Sequence, residues 1–416
     1  MQVDFLIVGQ GLAGSLLAKE LLRRGRTVHV VDDCWKSSSS QAAAGLMTPL
    51  TGWRFTLTKD YPELFAAAKT RLTELGVFRP IQVYRMFVDE EQRAKGLKRT
   101  ECRSCQPFIE RVTSAQGELD AGLTDEFGGA LMNGAWVDLP KLLSDVRAEL
   151  VANGCMTEAS FDPADAVADA DGVTWRAIRA GAIIYCDGYK SALRGPFTYL
   201  PWQPAKGEAL TLRASVADKP FILNREGWAL PLGQGVWRTG TNWQWDQLDE
   251  TPTEPQKQKL IWRFRSYFGQ DVQVDVTAHI AGVRPCTSDS HPFLGTHPQQ
   301  PRTHLFGGLG PRGTVWAPLM ADEMAAYLCE GRASGARAPT GSGIDWMRLR
   351  PSCWRRNSSS ASAATSVSMS RSTSPRTSPV SVPALRIIIR SWARTRSSRG
   401  RTSSADSARA APCGHR

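Results

Sequence analysis

Hydrophobic and polar positions along residues 1–330 follow alternating strand-like and helix-like periods, which predicts an α/β fold. Residues 4–8 are a nearly continuous apolar run, typical of a parallel strand that is covered on both faces. A helical spacing of leucines follows over residues 15–24 and ends near Gly25. A second apolar strand at residues 27–31 completes a strand–helix–strand unit.

Three glycines between the first strand and the helix have the spacing GxGxxG. They are Gly9, Gly11 and Gly14, with Leu12 and Ala13 between the last two. In such a turn the first glycine permits a tight bend and the second lets the backbone approach a pyrophosphate. The third lets the helix pack closely on the strand, so that the helix N-terminus receives the phosphates.

An acidic residue closes the second strand. Asp32 follows Gly14 by eighteen residues, where its carboxylate is expected to accept hydrogen bonds from a ribose 2′-hydroxyl and to disfavour NADP. Asp33, a surface neighbour, is a further candidate for cofactor contact. Together these features predict a dinucleotide site, but they do not separate FAD from NAD.

The pattern changes after about residue 335. Ser, Arg, Ala and Thr dominate residues 350–416, where only the short run 385–389 is apolar, so this segment is predicted to be disordered. Two interpretations stay open: an Arg/Ser-rich arm that binds RNA or anionic surfaces, and a non-native terminus. The absence of Lys from this basic segment favours the second interpretation.

Charge is unevenly distributed. The net charge is +11, but residues 331–416 contain 16 Arg, no Lys, 2 Asp and no Glu. Subtracting these from totals of 51 basic and 40 acidic residues leaves 35 and 38 in residues 1–330, a net of −3. Because this mildly acidic body offers no basic footprint, nucleic acid is not expected as a partner.

The remaining composition points to a cytoplasmic protein. No run of eighteen apolar residues predicts a membrane span, and Met1 leads almost at once into the first strand without a signal peptide. Nine cysteines without a framework suit a reducing compartment. Cys102 and Cys105 form a lone CxxC, and because further ligands at zinc spacing are lacking nearby, no metal site is predicted.

Six later segments share small residues and glycines and follow a distinctive order. They are 37–50 (with Ser39, Ser40, Ala44, Gly45 and Leu46), 134–143, 182–188, 200–210, 281–287 and 308–314, the last followed by Val315 and a predicted helix over 317–328. In this order they resemble the D-amino-acid oxidase and glycine oxidase family of FAD enzymes. The resemblance covers about residues 3–330.

The resemblance implies an α/β architecture with two domains. A glutathione-reductase-like Rossmann FAD-binding domain would comprise 1–76, 133–204 and 278–346. An α+β substrate domain with a mixed, largely antiparallel sheet would comprise 77–132 and 205–277. FAD would be bound non-covalently, with the loop at 37–50 around its pyrophosphate and ring. The backbone expected near the flavin belongs to Gly188, Leu309, Gly310, Pro311, Arg312, Gly313, Thr314 and Val315.

The resemblance further implies oxidation of the C–N bond of an amino acid or secondary amine. Hydride would pass from the substrate to the flavin, and water would hydrolyse the resulting imine. Oxygen or another electron acceptor would then reoxidise the cofactor. Two alternatives stay open: a flavoenzyme that trims carboxymethylaminomethyl groups of tRNA uridine, and a flavin-binding protein without turnover.

Two arginines are candidate catalytic residues. Arg284 matches the family position whose guanidinium holds a substrate carboxylate in a planar, two-pronged contact. The alternative is an ion pair with a structural acid such as Asp289. Arg312 lies in a Gly-x-Arg-Gly arrangement similar to that of the tRNA-modifying flavoenzymes, and whether it faces flavin, substrate or solvent stays open.

Tryptophans supply the remaining candidates. Trp228 stands where a glycine oxidase has an active-site Tyr, so it is a candidate catalytic residue as a wall of the pocket. Trp237, Trp243 and Trp245 follow closely in sequence. They are interpreted either as part of a pocket for a larger amine or as ordinary core residues.

Overall fold

The structure, a computed structural model, describes residues 1–33, 38–58 and 60–330. The predicted disordered tail at 350–416 and the end of the predicted FAD-binding domain beyond residue 330 lie outside the described residues. Within them, nearly all strands belong to two large sheets.

The strands are numbered in chain order. They are β1 (Gln2–Val8), β2 (Val28–Asp32), β3 (Leu46–Met47), β4 (Leu50–Thr51), β5 (Thr56–Leu57), β6 (Phe78–Met86), β7 (Ile109–Val112), β8 (Gly129–Val137), β9 (Met156–Glu158), β10 (Ala166–Ala168), β11 (Val173–Trp175), β12 (Ile178–Tyr185), β13 (Ala205–Ala214), β14 (Phe221–Asn224), β15 (Trp228–Gly233), β16 (Val236–Gly240), β17 (Val274–Arg284), β18 (Phe293–His297) and β19 (Gln300–Gly307).

The helices are numbered in the same way. They are α1 (Leu12–Arg23), α2 (Ser39–Ala42), α3 (Tyr61–Glu74), α4 (Glu90–Thr100), α5 (Leu139–Ala152), α6 (Lys190–Leu193), α7 (Glu254–Arg265) and α8 (Gly313–Glu330). Within the ranges described, none of them has the length and apolar character that a membrane crossing requires.

The first sheet has a parallel centre in the order β9, β2, β1, β12 and β19. Its apolar side chains alternate between two clusters: Phe5 and Ile7 pack on one face, whereas Leu6 and Val8 pack on the other. This arrangement confirms the prediction of a first strand that is buried on both faces. It also confirms the predicted α/β class.

Helices α1, α3, α5 and α8 cover one face of this sheet and share a single apolar cluster. The prediction that the first helix begins at residue 15 was wrong, because α1 begins at Leu12 directly after the Gly11 N-cap. The last helix also begins earlier than the predicted residue 317, at Gly313. In both places glycine-containing turns continue without interruption into the helix.

The second sheet has the order β17, β13, β16, β15, β14, β6, β8 and β3, with β7 also paired to β8. Only β14 and β6 are parallel among these pairs, so the sheet is mixed and largely antiparallel, as predicted. Helix α7 covers one face through Leu260 and Phe264. Strands β8 and β17 run through residues 133 and 278, where domain boundaries were placed, and the division into domains stays a prediction.

A buried carboxylate joins the helical layer. The Glu20 side chain, 3% exposed, forms ion pairs with Arg24 at 3.1 Å and with Arg71 of α3 at 2.5 Å. Arg24 continues to Asp322 of α8 at 2.8 Å. Three helices therefore meet around one buried charge, whose partners compensate the cost of its desolvation.

We expect Glu20→Ala to lower the free energy of unfolding by about 3 kcal/mol, because it removes the buried carboxylate that Arg24 and Arg71 share. Glu149→Ala is the matched control. Glu149 pairs with Lys19 at 2.7 Å but is 43% exposed, so its loss should cost less than about 1 kcal/mol. Denaturant unfolding followed by tryptophan fluorescence measures both, and equal losses would contradict this role for Glu20.

Candidate functional site

The carboxyl ends of the parallel strands meet at one edge of the first sheet. Val8 of β1 pairs with Val31 of β2 and with Tyr185 of β12, so the residues that follow these strands converge. The Gln10 amide donates to Asp32 Oδ2 at 2.8 Å, which joins the glycine turn to the acid of β2. A cleft begins at this edge and extends to the second sheet.

Two of the three glycines in this turn, Gly9 and Gly14, leave no room for a side chain. Gly9 has a φ of +97°, and a Cβ on Gly14 would lie 1.9 Å from the Gly9 carbonyl oxygen. Only glycine at position 14 therefore allows α1 to begin so close to β1. The first amide groups of α1 consequently point toward the cleft, where a helix N-terminus favours an anion.

Helix α2 lies across this N-terminus. Ser40 Oγ accepts a hydrogen bond from the Leu12 amide at 3.0 Å, and Ser39 and Ser40 line the cleft. On its other side, the Gln41 carbonyl accepts a hydrogen bond from Arg238 Nη2 of β16. This short helix is thus held between the glycine turn and the second sheet.

The opposite wall of the cleft comes from the turn that precedes α8. Residues Gly310–Arg312 form one turn of 3-10 helix that continues into α8 at Gly313. Thr314 Oγ1 donates to the Leu46 carbonyl at 2.9 Å, which fixes the start of α8 against β3. Arg312 Nη1 donates to Thr58 Oγ1 at 3.2 Å, and burial lowers the pKa of Arg312.

Arg284 ends β17 at the second-sheet side of the cleft. Its Nη2 donates to Thr241 Oγ1 and its Nη1 to the Asn242 carbonyl at 3.2 Å, and its Cζ lies 4.5 Å from the centre of the Trp243 ring. Within residues 1–33, 38–58 and 60–330 no carboxylate forms an ion pair with it. Asp289, the alternative partner, instead accepts from Thr287 Oγ1 and from the His291 amide.

Burial lowers the pKa of Arg284 to about 10, so the guanidinium remains charged at neutral pH. It lies flat against Gly207 of β13, where an added Cβ would be 2.0 Å from Nη2. A desolvated cation that meets only neutral oxygens and an indole favours an anionic ligand. The position of Gly207 thus determines where such an anion would bind.

The tryptophans have different environments. Trp228 is 9% exposed and lines the cleft. Trp243, which follows the end of β16, lines it as well. Trp245 stacks on Trp243 with ring centres 6.1 Å apart and is 54% exposed. Trp237 is fully buried against Phe264, so for this residue the interpretation as core is the right one.

Nearly all predicted site residues meet in this one cleft. Those that line it are Gly9, Gly11, Leu12, Ala13, Asp32, Asp33, Ser39, Ser40, Ala44, Gly45, Leu46, Gly188, Trp228, Arg284, Leu309, Gly310, Pro311, Arg312, Gly313, Thr314 and Val315. Gly14 does not line it, because it lies at the contact between α1 and the Gly9 carbonyl. Its part is to allow that contact.

Sequence reasoning missed several residues that shape the cleft. Gly207 lies in the 200–210 segment of the resemblance but was not singled out as a site residue, and Arg238 was not singled out either, since their importance arises from contacts with Arg284 and Gln41. Lys190 was also missed; its Nζ lies 2.9 Å from Asp33 Oδ1. The signal in the sequence that could have found Lys190 was its positive charge two positions after Gly188.

The residues present fit FAD. Backbone without Cβ atoms and a helix N-terminus whose N-cap, Gly11, has no side chain suit a pyrophosphate, and Asp32 suits a ribose hydroxyl. Beyond them, a Cβ added to Gly188 would meet no atom within 4 Å, so the cleft is open where the flavin is expected.

Comparison with known proteins agrees with this geometry. Residues 4–327 match the family model described as FAD dependent oxidoreductase. The chain is 26% identical over 350 residues to a glycine oxidase of Pseudomonas aeruginosa, covering 78% of this chain and 95% of the relative. The crystal structure of glycine oxidase from Geobacillus kaustophilus superposes with a TM-score of 0.66 at 22% identity, covering 79% and 94% of the two chains.

A second kind of relative is longer. The chain is 24% identical over 376 residues to the tRNA 5-methylaminomethyl-2-thiouridine biosynthesis bifunctional protein of Aeromonas hydrophila. This match covers 78% of the present chain but 56% of the relative. The chain therefore spans little more than half the length of relatives of this kind.

We expect Gly14→Ala to weaken FAD binding by at least about tenfold, the effect of roughly 1.4 kcal/mol, because the added Cβ pushes α1 away from the glycine turn. Titration of the apoprotein with FAD, followed by quenching of flavin fluorescence, measures this. Gly122→Ala is the control, since Gly122 is exposed and meets only the ends of flexible side chains. Unchanged affinity in the Gly14 variant would show that the contact does not position the phosphate site.

Proposed function

Since the chain belongs to the family of FAD-dependent oxidoreductases, we propose that it oxidises the C–N bond of an amino acid or secondary amine whose carboxylate binds Arg284. The observation that carries this proposal is the guanidinium at the cleft without a described acidic partner. A substrate carboxylate would supply the missing negative charge through charge-assisted hydrogen bonds. The cationic or neutral amine at the other end of the substrate would then point along the cleft.

The residues around Arg284 orient the substrate. Trp243 and Gly207 confine the guanidinium plane between an indole and a backbone, so that a bound carboxylate has one preferred orientation. Trp228 contributes an apolar wall that excludes water from the reacting carbon. FAD, when bound, would accept the Cα hydrogen of the substrate with its two electrons as hydride, and water would hydrolyse the imine that remains.

Orientation is the main contribution that this chain makes. The residues described as lining the cleft include no His, and their ionisable members are carboxyl groups, arginines, Lys190, Tyr189 and Cys186. Among these, burial raises the pKa of Asp187 to about 6, and Asp187 accepts a hydrogen bond from Ser191 Oγ. An amine that binds in neutral form needs no further base, so positioning beside the cofactor is sufficient.

Anaerobic bleaching of the flavin tests the proposal. Protein reconstituted with FAD is mixed with glycine, sarcosine, proline or D-amino acids, and loss of the yellow flavin absorbance reports two-electron transfer from substrate. We expect one of these amines to bleach the flavin. Failure of every small amine, with FAD bound normally, would overturn the proposal for small substrates.

A second candidate function is supported by the Gly310–Arg312 turn and Gly313, whose Gly-x-Arg-Gly sequence is similar to that of tRNA-modifying flavoenzymes. The relative from Aeromonas hydrophila is named for tRNA 5-methylaminomethyl-2-thiouridine biosynthesis. The exposed stack of Trp243 and Trp245 would suit a planar base. Bleaching by a carboxymethylaminomethyl uridine, but by none of the amino acids, would favour this candidate.

We expect Arg284→Lys to raise KM by about 10- to 100-fold for the substrate found in the bleaching assay, because an ammonium group cannot make the two-pronged contact. Gly207→Ala should act in the same direction, because its Cβ displaces the guanidinium. Arg213→Lys, an exposed change on the same strand as Gly207, is the control. Steady-state kinetics at saturating FAD measure the three, and an unchanged KM in both cleft variants would remove Arg284 from substrate binding.

A further inference from the structure

The CxxC that the flavin site does not use forms a tight turn after α4. The Cys105 amide donates to the Cys102 carbonyl at 2.8 Å, and the Gln106 amide donates to the same oxygen at 2.9 Å. Ser104 Oγ lies 3.3 Å from Cys102 Sγ. The turn brings the two thiols near one another, so that each shifts the pKa of the other.

The two thiols differ in access to solvent. Cys102 is partly exposed, whereas Cys105 is 2% exposed and packs in an apolar cluster with Leu50 and Phe55. Trp228, which lines the cleft, belongs to the same cluster. A reagent from solvent can therefore reach Cys102 but not Cys105.

The two thiols also differ in pKa, and the more accessible thiol has the lower value. Hydrogen bonds with the Ser104 hydroxyl and the Cys105 thiol lower the pKa of Cys102 to about 7. Burial raises the pKa of Cys105. Near neutral pH an accessible thiolate thus lies beside a shielded thiol, which are the positions of an attacking and a resolving cysteine.

We propose that Cys102 and Cys105 form a reversible dithiol–disulfide pair that reacts with low-molecular-weight disulfides such as oxidised glutathione. This site is independent of the proposed amine oxidation. A metal site is a poorer interpretation, because no group of three or more His, Cys, Asp or Glu side chains arranged for a metal ion occurs among the described residues.

The reaction with oxidised glutathione consists of two successive thiol–disulfide exchanges. The Cys102 thiolate attacks one sulfur of oxidised glutathione, which breaks that disulfide, releases one glutathione thiolate and leaves a mixed disulfide on Cys102. The Cys105 thiol then loses its proton to solvent and attacks the Cys102 sulfur, which releases the second glutathione. The protein pair loses two electrons, and the glutathione disulfide gains them.

The location gives the reaction a structural consequence. Forming the bond requires the two sulfurs to approach one another, and Cys105 is buried in the apolar cluster. Because protein interiors are close-packed, the cluster that contains Phe55 and Trp228 must adjust. The oxidised turn therefore differs from the reduced turn in the packing around the substrate side of the cleft.

Mass spectrometry of the FAD-loaded full chain tests the proposal. The protein is incubated with oxidised glutathione, its remaining thiols are alkylated, and it is digested with trypsin, which cleaves after Arg103 between the two cysteines. In the unchanged protein we expect two peptides linked by a Cys102–Cys105 disulfide. Cys105→Ser should instead retain glutathione on Cys102, and Cys102→Ser should leave Cys105 unmodified.

Cys155 supplies the internal control, because it is also partly buried but has no second cysteine in its turn. We expect Cys102 to react about tenfold faster than Cys155 at neutral pH, and the Cys155→Ser variant to give the same linked peptides. Equal rates at the two cysteines, or a glutathione adduct that persists on Cys102 in the unchanged protein, would overturn the proposal. Flavin absorbance confirms that each variant is folded.

Discussion

The parallel pairing of β1 with β2 and β12 is the constraint on which the cleft depends. Because the three strands run in one direction, Gly9, Asp32 and Gly188 reach the same edge of the sheet although they are far apart in sequence. A parallel pair requires a crossover, and here α1 provides it. Its N-terminus is directed to this edge because Gly14 admits the Gly9 carbonyl.

The second sheet contributes a positive charge, the Arg284 guanidinium, to the same cleft. Antiparallel pairing of β13 with β17 sets Ala205 opposite Arg284, which places the guanidinium over Gly207 two residues further along. Desolvation of that guanidinium is not compensated by an acid among the described residues. Under the proposed function, this cation binds the anionic group of the substrate at the second-sheet side of the cleft.

The sequence was informative where its signals were local. An apolar run followed by glycines at fixed spacing predicted β1 and the dinucleotide turn, because each depends on neighbouring residues. The start of α1 was misjudged because glycine disfavours a helix interior in isolation, whereas packing against β1 overrides that preference at Gly14. Contacts such as that between Gly207 and Arg284 depend on strand register, which composition does not reveal. For the same reason Trp237 in the core and Trp243 in the cleft could not be told apart in advance.

Helix α2 contacts both the glycine turn beside the first sheet and strand β16 of the second sheet. Ser40 holds its first turn to the Leu12 amide of α1, and Arg238 of the second sheet binds the Gln41 carbonyl at its other end. Burial lowers the pKa of Arg238, so this contact is made by a partly desolvated cation that is costly to leave without a partner. A shift of the second sheet that moves Arg238 must therefore also move the backbone that lines the cofactor end of the cleft. Helix α2 therefore contacts both the turn that is expected to hold the cofactor and the sheet that carries Arg284.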